Sequence, residues 1–144
     1  MFPRMQNRRR QVTNRRGAAA VELALSLPFL FALAFGMLEY SNLVMLRSRM
    51  VSAAYESARM ATRPTTSQNS AATASAVTTY CSSLLTQLGV HGASVTLTPS
   101  DLSNVAPQDL VTVSINAPFS SNSLTSLVIG SSTIMTASAT LTVE

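Results

Sequence analysis

The chain has 144 residues, 47% of them apolar and only 11% charged. That balance excludes a disordered tail and an ordinary cytosolic domain alike, because both carry more charge. The net charge of +4 rests on ten arginines and no lysine. Six arginines (Arg4, Arg8, Arg9, Arg10, Arg15, Arg16) precede an apolar run, and past Arg63 the single basic residue is His91. Such clustering beside an apolar segment sets membrane topology, and it excludes the basic folded face of a nucleic-acid binder. Cys81 is the one cysteine, which excludes an intrachain disulfide and a cysteine zinc site, and predicts a small buried hydrophobe, with an intermolecular disulfide as the alternative.

Ala18 to Leu38 is the apolar run. Its 21 residues would span about 31 Å as a helix, matching the roughly 30 Å hydrocarbon core of a bilayer. The arginine excess predicts a cytoplasmic N-terminus, so residues beyond Tyr40 are expected outside the cytoplasmic membrane. Pro28 removes one helical N–H, which predicts a kink with the Ser26 hydroxyl available to the freed group. Glu22 is the anomaly. A carboxylate inside such a helix costs about 2.5–3.5 kcal/mol at the bilayer centre and normally has a partner. No arginine or lysine follows within the run, so Glu22 is a candidate functional residue.

From Glu39 to Thr62 the helical period continues, with Tyr40, Leu43, Val44, Val51, Ala54, Tyr55, Ala58 and Ala61 as the expected packing stripe. Arg49, Ser52, Glu56, Arg59 and Arg63 fall opposite, and Glu56 and Arg59 are spaced to pair. Pro64 ends the helix. A loop follows, with Asn69 or Ser70 as candidate cap of a second helix over about 71–88. That helix places Val77, Tyr80, Leu84 and Leu88 on one side and stops at Gly89.

The last third alternates with period two. Val95 and Leu97, then Val111, Val113, Ile115 and Ala117, then Met135, Ala137, Ala139, Leu141 and Val143 share one face, while serines and threonines take the other. Three half-buried strands follow, the second ended by Pro118. The expected fold is α+β: a long N-terminal transmembrane and amphipathic helix, a second helix and a small three-stranded antiparallel sheet whose apolar face the helices cover. The expected divisions are a leader at 1–17, a transmembrane helix at 18–38, its amphipathic continuation at 39–63 and an extracytoplasmic domain at 64–144. Asp101 and Asp109 read as turn residues between the first two strands, and His91 as a turn residue beside Gly89. With no carboxylate pair, Ser/His/Asp set or phosphate-cradling loop, no enzyme activity, metal, cofactor or small-molecule substrate is expected.

The stretch "RRGAAAVELALSLPFLFALAFGMLEYSNLVMLRSRMVSAAYESARMA" resembles the TadE-like pseudopilins of the bacterial tight-adherence (Flp) pilus machinery. The resemblance rests on the basic residues before Gly17, the Ala18-Ala19-Ala20-Val21-Glu22 opening, Pro28, Gly36 before Glu39-Tyr40, and the alanine-rich helix ending near Arg59. It implies a type IV prepilin-like leader cut by a prepilin peptidase after Gly17, with Ala18 as the mature N-terminus. It implies that Glu22 meets the α-amine of a neighbouring pilin or pseudopilin subunit during assembly on the pilus platform. It also implies a pilin-like fold, in the inner membrane with a single pass. The chain is much longer than a major Flp pilin, so a minor subunit is expected. Two alternatives are a secreted β-rich protein, cut by signal peptidase after Ala32-Leu33-Ala34, and an uncleaved membrane-anchored domain.

Overall fold

The computed structural model describes residues 7–63, 73–103, 105–124 and 132–143, with side chains from Gly17 onward. In chain order it forms α1 (Asn7–Thr62), α2 (Ala74–Gln87), β1 (Ser94–Thr98), β2 (Leu110–Pro118), a 3-10 turn (Phe119–Ser121) and β3 (Ile134–Thr142). The class is α+β. Two compact units result, Met1–Leu38 and Glu39–Glu144.

Over 18–38 the helix of the first unit is apolar on every side apart from Glu22 and Ser26. Leu25, Phe29, Leu33 and Phe35 are all exposed, Phe29 at 81%. Nothing in the most apolar window is buried, and the helix is long and apolar enough to cross a membrane. α1 runs through Pro28 without a break. The Ser26 hydroxyl donates to the Leu23 carbonyl at 3.0 Å, not to the Ala24 carbonyl that Pro28 leaves unbonded.

The second unit owes its sheet to alternation. β1, β2 and β3 form an antiparallel meander, with Leu97, Val113 and Ala139 in one row. Val111, Val113, Ile115 and Ala117 are fully buried, while the residues between them are half exposed. Leu46, Met50, Ala53, Ala54 and Ala58 of α1, with Cys81 and Leu85 of α2, close over that face. Phe119, the first residue after β2, is the largest fully buried side chain, and replacing it with alanine would cost about 3–5 kcal/mol. A smaller cluster of Val77, Leu102 and Val111 extends the core.

Local signals account for the ends of these elements. Gly89 adopts φ +70°, and the N–H groups of Val90 and Gly89 donate to the carbonyls of Leu85 (2.8 Å) and Thr86 (3.1 Å). That is the Schellman stop, with Val90 and Leu85 both buried beneath it. At the other end of α2 the cap is Thr73, whose hydroxyl accepts from the Ala76 N–H at 3.3 Å. The helix therefore begins at Ala74, and Pro64, Asn69 and Ser70 lie outside the described residues. Asp101 accepts from the Ser103 N–H at 2.9 Å and Asp109 from the Ala106 N–H at 2.8 Å, as turn aspartates do.

Two packing expectations are corrected. On α1 the inward stripe is Glu39, Leu46, Met50, Ala53, Ala54, Ser57, Ala58 and Thr62. Tyr40, Val44, Val51 and Tyr55 face outward instead, between 43% and 67% exposed. Ala54 and Ala58 of the expected stripe are buried as read, but the buried set as a whole is turned by about a fifth of the helix circumference, at 100° per residue. On α2 the inward residues are Val77, Cys81 and Leu85, while Tyr80 is exposed and Leu84 and Leu88 are half buried.

Candidate processing and assembly site

Gly17, Ala18 and Glu22 lie together on the first unit's helix. Gly17 is exposed, and a Cβ placed on it would meet nothing within 4 Å. Its presence answers no packing demand. Mid-helix glycine costs about 1 kcal/mol relative to alanine, so the helix is weakened locally at Gly17. Ala18, Ala19 and Ala20 leave the backbone bare of bulk on the C-terminal side.

Glu22 follows Ala18 by four residues, which puts the two on one helix face about 6 Å apart along the axis. The carboxylate is exposed, and among the described residues no hydrogen bond or ion pair reaches it. It is an exposed acceptor among exposed Val21, Leu23 and Leu25.

A second acidic residue, Glu39, begins the other unit and differs in every respect. It is fully buried, and its Oε1 accepts from the Ser123 hydroxyl at 2.6 Å. One turn along α1, Asn42 Nδ2 donates to the Asn122 carbonyl at 2.7 Å. The Asn122 side chain in turn accepts from the His91 N–H at 2.7 Å and donates to the His91 and Pro118 carbonyls at 2.9 Å each. The turn after β2 is thus fastened to α1 and to the turn before β1. Sequence reading notes Glu39 only as half of an acidic-aromatic pair; its partner lies 84 residues away, and no local pattern encodes it.

Glu56 and Arg59, with Met60, Arg63 and Tyr80, line an open depression of about 280 Å³. It gathers no acid–base set. Among the described residues no three His, Cys, Asp or Glu side chains converge to hold a metal ion.

The comparison with known families turns on the segment that carries Gly17 and Glu22. Residues 17–59 match the family model of the TadE-like proteins. The match begins at Gly17 itself and takes in Glu22, Pro28, Glu39 and the outward stripe Tyr40, Val44, Val51 and Tyr55. The TadE-like family is structural and suggests a protein associated with the tight-adherence pilus. No curated protein and no solved structure gives a significant match to the chain.

Proposed function

We propose that the chain is a minor pseudopilin-type structural subunit, which a prepilin peptidase cuts between Gly17 and Ala18 and which then joins other pilin subunits of a tight-adherence pilus or related secretion apparatus. The observation that carries this reading is the TadE-like match opening at Gly17, with an exposed carboxylate five residues on in an otherwise apolar helix. Cleavage creates an α-amine at Ala18. In a low-dielectric surround, a neighbour's ammonium is the donor that Glu22 lacks among the described residues. The arginines before Gly17 hold the leader in the cytoplasm, and the β-rich unit is extracytoplasmic. The outward stripe from Tyr40 to Tyr55 offers apolar contact to neighbouring helices.

The test is the N-terminal sequence of the protein recovered from cells that express a prepilin peptidase. A chain beginning at Ala18 is expected, and Gly17→Val should block its appearance because a β-branched side chain crowds the scissile bond. A chain beginning at Phe35 would establish signal-peptidase cleavage instead, and an uncut chain would establish a simple membrane anchor.

A further inference from the structure

We infer that β3 is an interface edge, to which a second copy of this chain adds its own β3 in antiparallel register centred on Ser138. Among the described residues the sheet leaves that edge open: β3 pairs there with β2 alone, and its nine residues keep an uninterrupted register with that partner. The bonds at the two ends of the ladder show which way its peptide groups point. The Phe119 N–H donates to the Thr133 carbonyl and the Val143 N–H to the Asp109 carbonyl, so odd-numbered residues bond β2. Alternate residues address opposite neighbours. The N–H and C=O groups of Ile134, Thr136, Ser138, Thr140 and Thr142 therefore point outward, away from the sheet.

Proteins that keep such an edge solitary guard it with charge, proline, a bulge or brevity. β1, the opposite edge, is five residues long and runs into Pro99. β3 reads IMTASATLT and has none of these guards.

The occupant is indicated by the strand's own symmetry. About Ser138 the sequence is palindromic in size and chemistry. Ala137 answers Ala139, Thr136 answers Thr140, Met135 answers Leu141, and only Ile134 with Thr142 is unlike. An antiparallel strand of the same sequence, paired Ser138 to Ser138, would set each residue opposite its counterpart on the correct face. Alanine would meet alanine and methionine leucine on the core side, threonine would meet threonine on the other, and threonine pairs opposite one another stabilise a ladder. Inside the sheet the threonine row already exists, Thr112 and Thr140 sharing a hydrogen bond of 2.8 Å. No charged residue lies on β3, so self-pairing brings no like charges together. Met135, Ala139 and Leu141 remain half exposed along this edge, and the second strand would cover them.

Engineered disulfides in membranes that contain the full chain read the register directly. Counterpart residues in a hydrogen-bonded pair have Cα atoms about 5.5 Å apart, within disulfide reach. Two Thr136 residues would be four positions out of register, roughly 13 Å apart. Mild oxidation should therefore link chains carrying Ser138→Cys, and should link Thr136→Cys chains to Thr140→Cys chains when the two are co-expressed with different tags. Thr136→Cys alone and Thr112→Cys on the central strand should give no dimer. Adding Ser138→Lys to both chains of the mixed pair should cut its yield about fivefold or more by opposing two charges at the symmetry axis. Cys81 is buried, so it stays silent in all these variants and its protection reports that each is folded. No disulfide at position 138, linkage of Thr136→Cys to itself as strong as in the mixed pair, or capture of a different protein through position 138 would each overturn the inference.

Discussion

Cys81 is fully buried between the helices and the sheet, and burial pushes its thiol above the usual value, a hydrogen bond with the Ser57 hydroxyl only partly offsetting this. The folded chain thus holds the thiol proton more tightly than the unfolded chain does. Its contribution to stability is intact below the ordinary thiol pKa and is lost as pH rises through the raised one. Two outcomes are expected. A maleimide reagent at mildly alkaline pH should label native Cys81 at least about a hundredfold more slowly than the urea-unfolded chain, since reaction requires both opening and ionisation. The urea midpoint should also fall as pH is raised beyond the ordinary thiol range, and Cys81→Ala should flatten that fall. Equal labelling of native and unfolded chains would show that the core opens far more readily than its packing implies. Gln108 makes a contrasting point at the same scale. It sits at φ +76°, and it and Asp109 both bond Val143, so a left-handed bulge opens β2 where no glycine announces one.

Among the elements, the strands were legible and the packing of α1 was not. Two-residue alternation names the inner face of β2 correctly from Val111 to Ala117, because Thr112, Ser114 and Asn116 separate the apolar residues. Gly89 ends α2 as read, since the left-handed stop needs a glycine. On α1, however, apolar residues occupy two faces. Hydropathy cannot separate the face that its own sheet covers from the one left exposed, so Ala54 and Ala58 are read correctly while the larger Tyr40, Val44, Val51 and Tyr55 outweigh the small Ala53 and Ser57 that pack inward. Phe119 was missed because it follows the strand and enters the core from a 3-10 turn, outside any periodic pattern. The difference between the faces predicts a difference in response. Val51→Asp should leave unfolding free energy within about 0.5 kcal/mol of the parent, as surface changes do, yet lower co-purification with pilin subunits. Ala54→Asp should cost at least about 3 kcal/mol by burying an unpaired charge. Hydrogen exchange at the β2 amides, compared between the two variants, measures the first contrast. Equal deprotection in both would return the outer stripe to the core.

For the whole molecule, the open question is what satisfies the apolar run 18–38, whose apolar side chains are exposed and whose one carboxylate, Glu22, has no partner among the described residues. Lipid answers the first need and leaves the second unmet, because hydrocarbon supplies no donor. A neighbouring subunit answers both, with apolar contacts and the α-amine that processing creates. Removing the carboxylate should therefore separate insertion from assembly. Glu22→Ala should insert at least as well as the parent, since it takes a costly polar group out of the apolar run, and cleavage between Gly17 and Ala18 should proceed. Glu22→Gln is the sharper variant, because it keeps the size and hydrogen-bonding capacity of the side chain and deletes only the charge that attracts an ammonium. A charge-assisted hydrogen bond contributes about 1.5–3 kcal/mol, so either change should weaken capture by partner pilins by about tenfold or more. Crosslinking to those pilins, normalised to the amount of cleaved protein in the membrane, is the measurement. Parental crosslinking by both variants would reduce Glu22 to a tolerated charge near the headgroups and leave the assembly contacts to the apolar faces alone.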